Sequence, residues 1–226
     1  MTRPLALLRP QPGWSDSAAA AQARGLDVVG HPLFAAEAVQ WTLPQGEFDA
    51  ILAGSGAAFR LGGPQLEAIM HLPVHAVGKA TADAASDAGF AVARTGDGGL
   101  QKMVDGLRRE PIRFLRLGGQ ERVPLAPQAD QTVVDCVVYR MVPLSINPRF
   151  RAVLAKESPI VALHSAAAAR HFAREIDRLG LSRGTLALLA LGPRIAAAAG
   201  LGWAAVPIAD RPNDAALLAK ARALCK

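Results

Sequence analysis

The segment Asp49-Ala-Ile-Leu-Ala-Gly-Ser55-Gly-Ala-Ala-Phe59 has a counterpart later in the chain, Pro159-Ile-Val-Ala-Leu-His-Ser165-Ala-Ala-Ala-Ala169. In both segments a short apolar run ends at a serine and continues into an alanine-rich stretch. An apolar run of about four to eight residues before such a stretch is typical of a buried parallel strand followed by a helix. The two segments therefore predict the same strand–helix unit at two places in one chain.

A second pair of similar segments follows the first pair at nearly the same spacing. One begins at Gly78 and the other at Gly192, and each predicts a glycine turn, a helix, a glycine at the helix end, an aromatic residue and a strand. Ser55 and Ser165 are 110 residues apart, and Gly78 and Gly192 are 114 residues apart. Two offsets this close indicate an internal duplication of one supersecondary unit.

Short apolar runs alternate with helical stretches along the whole chain, which predicts an α/β fold. We expect two similar three-layer lobes with parallel sheets, joined by a two-stranded linker, with one lobe discontinuous in sequence. In the first half, residues 26–34 are expected to form one strand. The predicted boundaries are residues 1–32 plus 146–226 for domain 1, residues 39–137 for domain 2, and residues 33–38 and 138–145 for the linker strands.

Composition excludes several classes of protein. The 226 residues are 51% hydrophobic and 19% charged, whereas disordered chains have low hydrophobicity and high charge. The longest nearly apolar stretch, residues 195–209, is shorter than the about 18–20 residues of a membrane span. The first residues lack the pattern of a signal peptide, and Cys136 and Cys225 lack metal-ligand spacing. We therefore expect a cytoplasmic protein with reduced thiols and no membrane partner.

The formal net charge of +6 leaves two explanations open. An excess of arginine favours an anionic partner, because the guanidinium group binds carboxylate or phosphate through two parallel hydrogen bonds. Genome composition explains the same excess equally well. Nucleic acid is not expected as a partner, since no basic run is longer than Arg108-Arg109 and only 5% of the residues are aromatic. The five histidines include no HxxxH pair, so no metal site is expected.

Ligands of open α/β sheets bind beyond the carboxyl ends of the strands, where helix N-termini present unpaired N–H groups that favour anions. The positions after the predicted strands are small, glycine-flanked, hydroxylated or positively charged. They are Arg9, Ser55, Gly78, Lys79, Thr81, Gly119, Ser165 and Gly192. Their repetition in both halves favours a ligand-binding role for the set. For Ser55, Thr81 and Ser165 taken singly, a helix cap is the alternative.

Tyr139 is the only tyrosine and stands in the second predicted linker strand. Its phenol can donate or accept a hydrogen bond, and the alternative is an aromatic residue that simply packs on a half-buried strand. Common catalytic and phosphate motifs are missing: Phe59 occupies the third glycine position of GxGxxG, and Ser55 is not in a GxSxG motif. The residues alone thus indicate a two-lobed, anion-binding α/β protein.

A series of short motifs runs through nearly the whole chain. They are Leu8-Arg9-Pro10, Gly25-x4-Gly30-His-Pro32-Leu33, residues 49–55, Ala76-Val-Gly78-x2-Thr81-Ala82, Leu115-Arg-Leu-Gly118-Gly119, Val138-Tyr139, Leu163-His-Ser165, Leu191-Gly192-Pro193 and the Pro212…Leu217 ending. In this order they resemble the uroporphyrinogen-III synthase family, whose members cyclise a linear tetrapyrrole.

The resemblance implies a monomeric, cofactor-free enzyme of two α/β lobes with its substrate in the cleft between them. That substrate is hydroxymethylbilane, a linear tetrapyrrole with eight carboxylates, which loses water and is cyclised with inversion of ring D. By resemblance, Tyr139 donates a hydrogen bond to the departing hydroxyl. The positions that match polar or carboxylate-binding positions of the family are Thr81, Ser165, Arg9, Ser55 and the Gly78 and Gly192 turns.

The sequence departs from the usual family pattern at several positions. Arg194 and Ile195 follow Pro193 where threonine is common, Leu8 replaces a threonine, and His164 precedes Ser165 where threonine is frequent. Prolines also interrupt residues 120–129, so no long helix is expected there. The competing hypothesis from another class is a non-catalytic, two-lobed anion-binding or sensor protein.

Overall fold

The computed structural model describes residues 3–107 and 111–226, so the Arg108-Arg109 pair lies outside the described residues. The chain divides into two compact units. Unit 1 comprises Met1–Ala35 and Pro143–Lys226, and unit 2 comprises Ala36–Val142. Within the described ranges, none of the helices combines the length and the apolar character that crossing a bilayer requires.

Strands and helices alternate along most of the chain. The strands are β1 (Leu5–Leu7), β2 (Val28–Gly30), β3 (Phe34–Ala38), β4 (Ala50–Ala53), β5 (Val74–Ala76), β6 (Val92–Thr95), β7 (Ile112–Gly119), β8 (Gln131–Pro143), β9 (Ile160–Leu163) and β10 (Ala187–Ala190). The α-helices are α1 (Gly13–Gln22), α2 (Ala57–Leu61), α3 (Lys79–Asp87), α4 (Leu100–Asp105), α5 (Pro148–Glu157), α6 (Ala166–Arg178), α7 (Pro193–Ala199) and α8 (Asp214–Leu224). Short 3-10 helices span Pro64–Ile69 and Arg183–Thr185.

Unit 1 contains a four-stranded sheet in the order β10-β9-β1-β2, and all of its pairings are parallel. The central strands β1 and β9 are apolar and buried at every position, as expected for strands covered on both faces. Helices α1 and α8 pack Ala21 and Leu217 against one face, where Leu5 and Leu7 point. Helices α5 and α6 cover the opposite face, on which Phe172 is buried. Unit 1 is therefore a three-layer arrangement.

Unit 2 is built on a six-stranded sheet in the order β3-β8-β7-β4-β5-β6. The pairings from β8 through β6 are parallel. The Val39 N–H donates to the Val138 carbonyl, and the Leu144 N–H donates to the Leu33 carbonyl. Since one residue number rises as its partner's falls, β3 and β8 pair antiparallel. The α/β fold with parallel sheets predicted from the sequence is confirmed.

Two predicted elements differ from those observed in the first half and the middle of the chain. Residues 26–34 contain β2 and only the first residue of β3, because the chain is interrupted at Pro32, which has no N–H to donate to a sheet. Gly119, expected in the turn after a strand, is the last residue of β7. A β-bulge between Gly118 and Gly119 prolongs the pairing of β7 with β8 to this point.

The last strand expected in the second half of the chain is reduced to two isolated bridges. Ala187 pairs with Ala205 and Ala190 pairs with Ile208, both in parallel. Pro207 lies between the two bridges and contributes only its carbonyl, which accepts from the Ala190 N–H. Because proline cannot donate to a ladder, a regular strand does not form here.

Candidate functional site

The carboxyl ends of the strands in unit 2 border a cavity of about 370 Å³. Ser55, which follows β4, and Gly119, at the end of β7, both line it. The wall also contains the phenol of Tyr139, on β8, and the guanidinium groups of Arg116 and Arg122. Parallel strands bring their carboxyl ends to one edge of a sheet. For this reason three positions predicted from the sequence, Ser55, Gly119 and Tyr139, come together.

Tyr139 is half-buried and packs over the backbone of Gly119, its partner across the β7–β8 ladder. A Cβ atom placed on Gly119 would lie 2.8 Å from Cε2, 2.9 Å from Cζ and 3.2 Å from Oη of Tyr139. Side-chain atoms do not pack this closely, so only glycine fits beneath the ring. The ring also packs against the apolar core of unit 2. The glycine and the core together fix the position of the phenol.

Ser55 lies beside the first turn of α2 and also lines the cavity. Its Oγ accepts a hydrogen bond from the Ala57 N–H at 3.2 Å, in the first turn of α2. The N-cap position itself is taken by Gly56, and α2 is only five residues long. Ser55 is half-buried and also lines the cavity, so its hydroxyl can reach a ligand there.

Gly78, Lys79 and Thr81 lie together at the start of α3 but do not line the Tyr139 cavity. Gly78 is the N-cap with an extended backbone, which any residue can adopt. The exposed Lys79 pairs with Asp83 at 2.8 Å, four residues along the helix, and such surface pairs contribute little to stability. Thr81 is 5% exposed, so only a small part of this side chain is accessible to a ligand.

Two arginines of this cavity wall, which were not predicted as site residues, share one carboxylate. Arg116, on β7, lies 3.5 Å from Asp135 Oδ1, and Arg122, on the following loop, lies 3.1 Å from the same oxygen. Arg116 is buried, and burial lowers the pKa of its guanidinium. The sequence did carry a signal for it, because Arg116 interrupts an apolar run that was predicted as a buried strand.

In unit 1, Ser165 and Gly192 line a cavity of about 350 Å³ together with Arg194. Ser165 is the N-cap of α6, and its Oγ accepts from the Ala168 N–H at 3.1 Å. Gly192 is the N-cap of the seven-residue α7 and has an extended backbone. The two positions that the internal duplication pairs with Ser55 and Gly78 are thus neighbours in unit 1, whereas their counterparts in unit 2 do not share a cavity.

Arg9, predicted as a ligand contact, takes part in an internal network. Its Nη1 donates to Ser17 Oγ at 2.7 Å, and Ser17 donates to Asp214 Oδ2 at 2.6 Å. The guanidinium lies against Gly13, where an added Cβ would come within 2.6 Å of Arg9 Nε. Arg9 is therefore positioned by α1 and α8, and part of its hydrogen-bonding capacity is already used.

His164 completes this network from the end of β9. Its Nε2 lies 2.8 Å from Asp214 Oδ1 and donates to it, while its Nδ1 is buried and has no partner among the described residues. The hydrogen bonds from His164 and Ser17 lower the pKa of Asp214 to about 2, in spite of burial. The carboxylate stays ionised at neutral pH and orients the histidine, the serine and the arginine. The sequence marked His164 only as a departure from the family pattern.

Neither unit shows a metal-binding cluster in its described residues, where no group of three histidine, cysteine, aspartate or glutamate side chains converges. Both cysteines are buried as free thiols. Burial raises the pKa of Cys136 to about 11 and also raises the pKa of Cys225. Because the thiolate is the reactive form, neither thiol is set up as a nucleophile.

The family model described as uroporphyrinogen-III synthase HemD matches residues 15–219 of this chain. Among solved structures, a uroporphyrinogen-III synthetase from Helicobacter pylori 26695 aligns with a TM-score of 0.64 at 18% identity, over 98% of this chain and 99% of that one. A mutant uroporphyrinogen III synthase from the extremely thermophilic bacterium Thermus thermophilus aligns with a TM-score of 0.51 at 21% identity, over 98% of both chains. No curated protein sequence matches this chain. At these identities the two structures establish similarity of fold.

Proposed function

This chain belongs to the uroporphyrinogen-III synthase family, and we propose that the Tyr139 cavity of unit 2 holds the reacting end of the substrate. The family match covers residues 15–219, and it favours the enzyme over the non-catalytic anion-binding alternative. The observation that carries the assignment of the site is the phenol of Tyr139, fixed over Gly119 in a cavity whose wall also contains two guanidinium groups.

The reaction is the cyclisation of hydroxymethylbilane to uroporphyrinogen III, with loss of water and inversion of ring D. The terminal hydroxyl takes up a proton and departs as water, which leaves an azafulvene. Ring D attacks this azafulvene through its substituted carbon, and the resulting spiro intermediate fragments and recloses with ring D inverted. Because the free bilane can also close without inversion, the enzyme has to hold it in the conformation that leads to attack at the substituted carbon.

Tyr139 is our candidate for the group that assists departure of the hydroxyl. Its O–H would donate a hydrogen bond to the leaving oxygen, and a positioned acid of this kind contributes a factor of about 100–10,000 to the rate. Support comes from the restricted position of the ring between Gly119 and the core of unit 2. The wall of the same cavity also contains Arg116 and Arg122.

The remaining predicted positions are proposed as contacts to substrate carboxylates. In unit 2 they are Ser55 and the α3 start with Gly78, Lys79 and Thr81, and in unit 1 they are Ser165, Gly192 and Arg9. Arg9 would contact a carboxylate through the N–H groups that do not donate to Ser17. A monomeric state, a cytoplasmic location, the absence of nucleic-acid and membrane partners, and the predicted domain boundaries stay predictions.

The activity is tested by supplying freshly made hydroxymethylbilane and separating the uroporphyrin isomers after oxidation. We expect predominantly the type III isomer. Exclusive formation of type I, the product of closure without inversion, would contradict the assignment. A parallel reaction without enzyme gives the spontaneous background and serves as the control.

The role of Tyr139 is tested by Tyr139→Phe, which keeps the ring on Gly119 and removes only the hydroxyl. We expect kcat to fall about 100-fold or more, with an unchanged circular-dichroism spectrum, because the hydrogen bond to the leaving oxygen is lost. Undiminished turnover by the folded variant would remove Tyr139 from the mechanism.

A further inference from the structure

Arg116 is a buried arginine with few internal partners. The residue is 6% exposed, and its Nη2 donates to the Val123 carbonyl at 2.8 Å. The guanidinium group has five N–H donors, and this is its one hydrogen bond among the described residues. Its contact with Asp135 Oδ1, at 3.5 Å, is an ion pair at the limit of hydrogen-bond length. None of its nitrogens is both buried and unpaired, so the unused donors reach the solvent of the cavity, where a ligand can accept hydrogen bonds from them.

Arg122 faces the same carboxylate and is also incompletely paired. Its Nε lies 3.1 Å from Asp135 Oδ1, and its Nη1 donates weakly to the carbonyls of Gly119 and Gln120 at 3.4 Å and 3.2 Å. Two guanidinium groups therefore share one carboxylate, so one positive charge in this cluster is not neutralised internally. Glu121 is the acidic residue of the cavity wall, but it is exposed and screened by water.

The loop that follows β7 is held at two points by hydrogen bonds to side chains. Arg116 binds the loop through the Val123 carbonyl. Farther along, Gln101 on α4 donates to the Ala126 carbonyl at 3.0 Å and accepts from the Ala126 N–H at 2.9 Å. These contacts fix the loop at Val123 and Ala126, although the loop contains no helix.

We propose that Arg116 and Arg122 bind one acetate or propionate carboxylate of the substrate in the wall of the Tyr139 cavity. A carboxylate accepts two parallel hydrogen bonds from a guanidinium and would satisfy the unused donors of Arg116. Asp135 acts as the positioning residue, because its ion pairs orient both arginines. This inference rests on the proposed function. It adds a pair of side chains that would hold one pyrrole ring near the leaving hydroxyl by binding its carboxylate.

The test uses steady-state kinetics of the full chain with freshly made hydroxymethylbilane. Arg116→Gln and Arg122→Gln each remove a charged donor, and we expect KM to rise about tenfold in each, with kcat changed less than about threefold. The dependence of KM on salt concentration should also become weaker in both variants, because a screened ion pair has been removed.

Arg113→Gln is the matched control. Arg113 lies near the opposite end of the same strand, is half-buried there, and donates to the Gln45 carbonyl outside the cavity. We expect its KM to equal that of the unaltered enzyme. If Arg116→Gln does not fold, as judged by circular dichroism, the proposal is tested by Arg122→Gln alone. Arg122 is partly exposed on a loop, so its replacement is expected to leave the fold intact.

An unchanged KM in folded Arg122→Gln would overturn the proposed carboxylate-binding role of the two arginines. An equal rise in the KM of Arg113→Gln would overturn it too, and neither result would affect the assigned activity. A fall in kcat at constant KM would overturn it as well, since that result indicates loss of a transition-state interaction or of active enzyme and not loss of substrate binding. If the unaltered chain yields only the type I isomer, the proposed function itself fails, and the two failures are thereby distinguished.

Discussion

Replacing Gly119 with alanine tests whether the position of the Tyr139 ring controls catalysis. The added Cβ would lie 2.8 Å from Cε2 and 2.9 Å from Cζ of Tyr139, whereas ordinary contact begins at 3.4 Å. The ring must therefore move by at least about 0.6 Å away from the glycine, and its packing against the core of unit 2 opposes such a shift. A displacement of about 1 Å in a catalytic group can cost about 100-fold in rate.

We therefore expect Gly119→Ala to lower kcat about 10- to 100-fold and to destabilise the fold by about 1–3 kcal/mol through overpacking. The assay is turnover of hydroxymethylbilane with separation of the product isomers, together with urea unfolding followed by circular dichroism. Stability and turnover are measured on the same preparation, so that loss of folded protein is not counted as loss of catalysis.

Gly118→Ala is the matched control for this substitution. A Cβ atom on Gly118 would meet its nearest neighbour, Arg122 Cδ, at 3.7 Å, which is ordinary contact. We expect nearly unaltered kcat from this variant. In the Tyr139→Phe background, Gly119→Ala should cost much less activity, because the hydroxyl whose position matters is already absent. Equal losses in the two glycine variants, or full additivity with Tyr139→Phe, would refute the role assigned to Gly119.

Three further predictions concern stability. Glu175 is buried and accepts from the Ile146 N–H, so Glu175→Ala should lose about 1–3 kcal/mol in urea unfolding, and Glu175→Gln, which keeps an acceptor, should lose less. Arg178 lowers the pKa of Glu175 from 4.5 to about 2. The resulting stability is complete above pH 4.5 and is lost as the pH falls toward about 2; an equally steep decline in Glu175→Gln would contradict this. Ser165→Ala should cost about 1 kcal/mol through loss of the α6 cap, and an unchanged unfolding midpoint would show that the cap contributes nothing. Phe172→Ala should cost about 3–5 kcal/mol because the ring is fully buried, whereas Leu201→Ala, at a side chain that is 90% exposed, should cost almost nothing; similar unfolding curves for the two would argue against a cavity in the core.

Much of the site could be located from the sequence because parallel strands end at the same edge of a sheet. Ser55, Gly119 and Tyr139 were each predicted separately, and all three line one cavity. Their grouping depends on the strand order, in which β7 lies between β4 and β8. Strand order follows from contacts far apart in sequence, so the short motifs did not specify which positions would be neighbours.

The functional groups missed from the sequence owe their properties to burial and pairing. Arg116 belonged to a predicted strand, and only the fold places Asp135 and Arg122 beside it. Arg9 was expected to be a ligand contact, but Ser17 and Asp214, which lie far apart in the sequence, occupy part of its guanidinium. Charge and hydrogen-bonding capacity are visible in a sequence, whereas the partners that use this capacity are not.

The sequence by itself determined the α/β class and the resemblance to the family, because periodic apolar runs and short turn motifs are local properties of the chain. Tertiary structure alone decided that Gly119 supports the Tyr139 ring and that two arginines share Asp135 in the same wall. The pairing of Gly119 with Tyr139 depends on the bulge between β7 and β8, and the pairing of Arg116 with Asp135 depends on the register of the same two strands. The physical reason is that strand pairing sets distances between residues about twenty positions apart, and no local pattern encodes those distances.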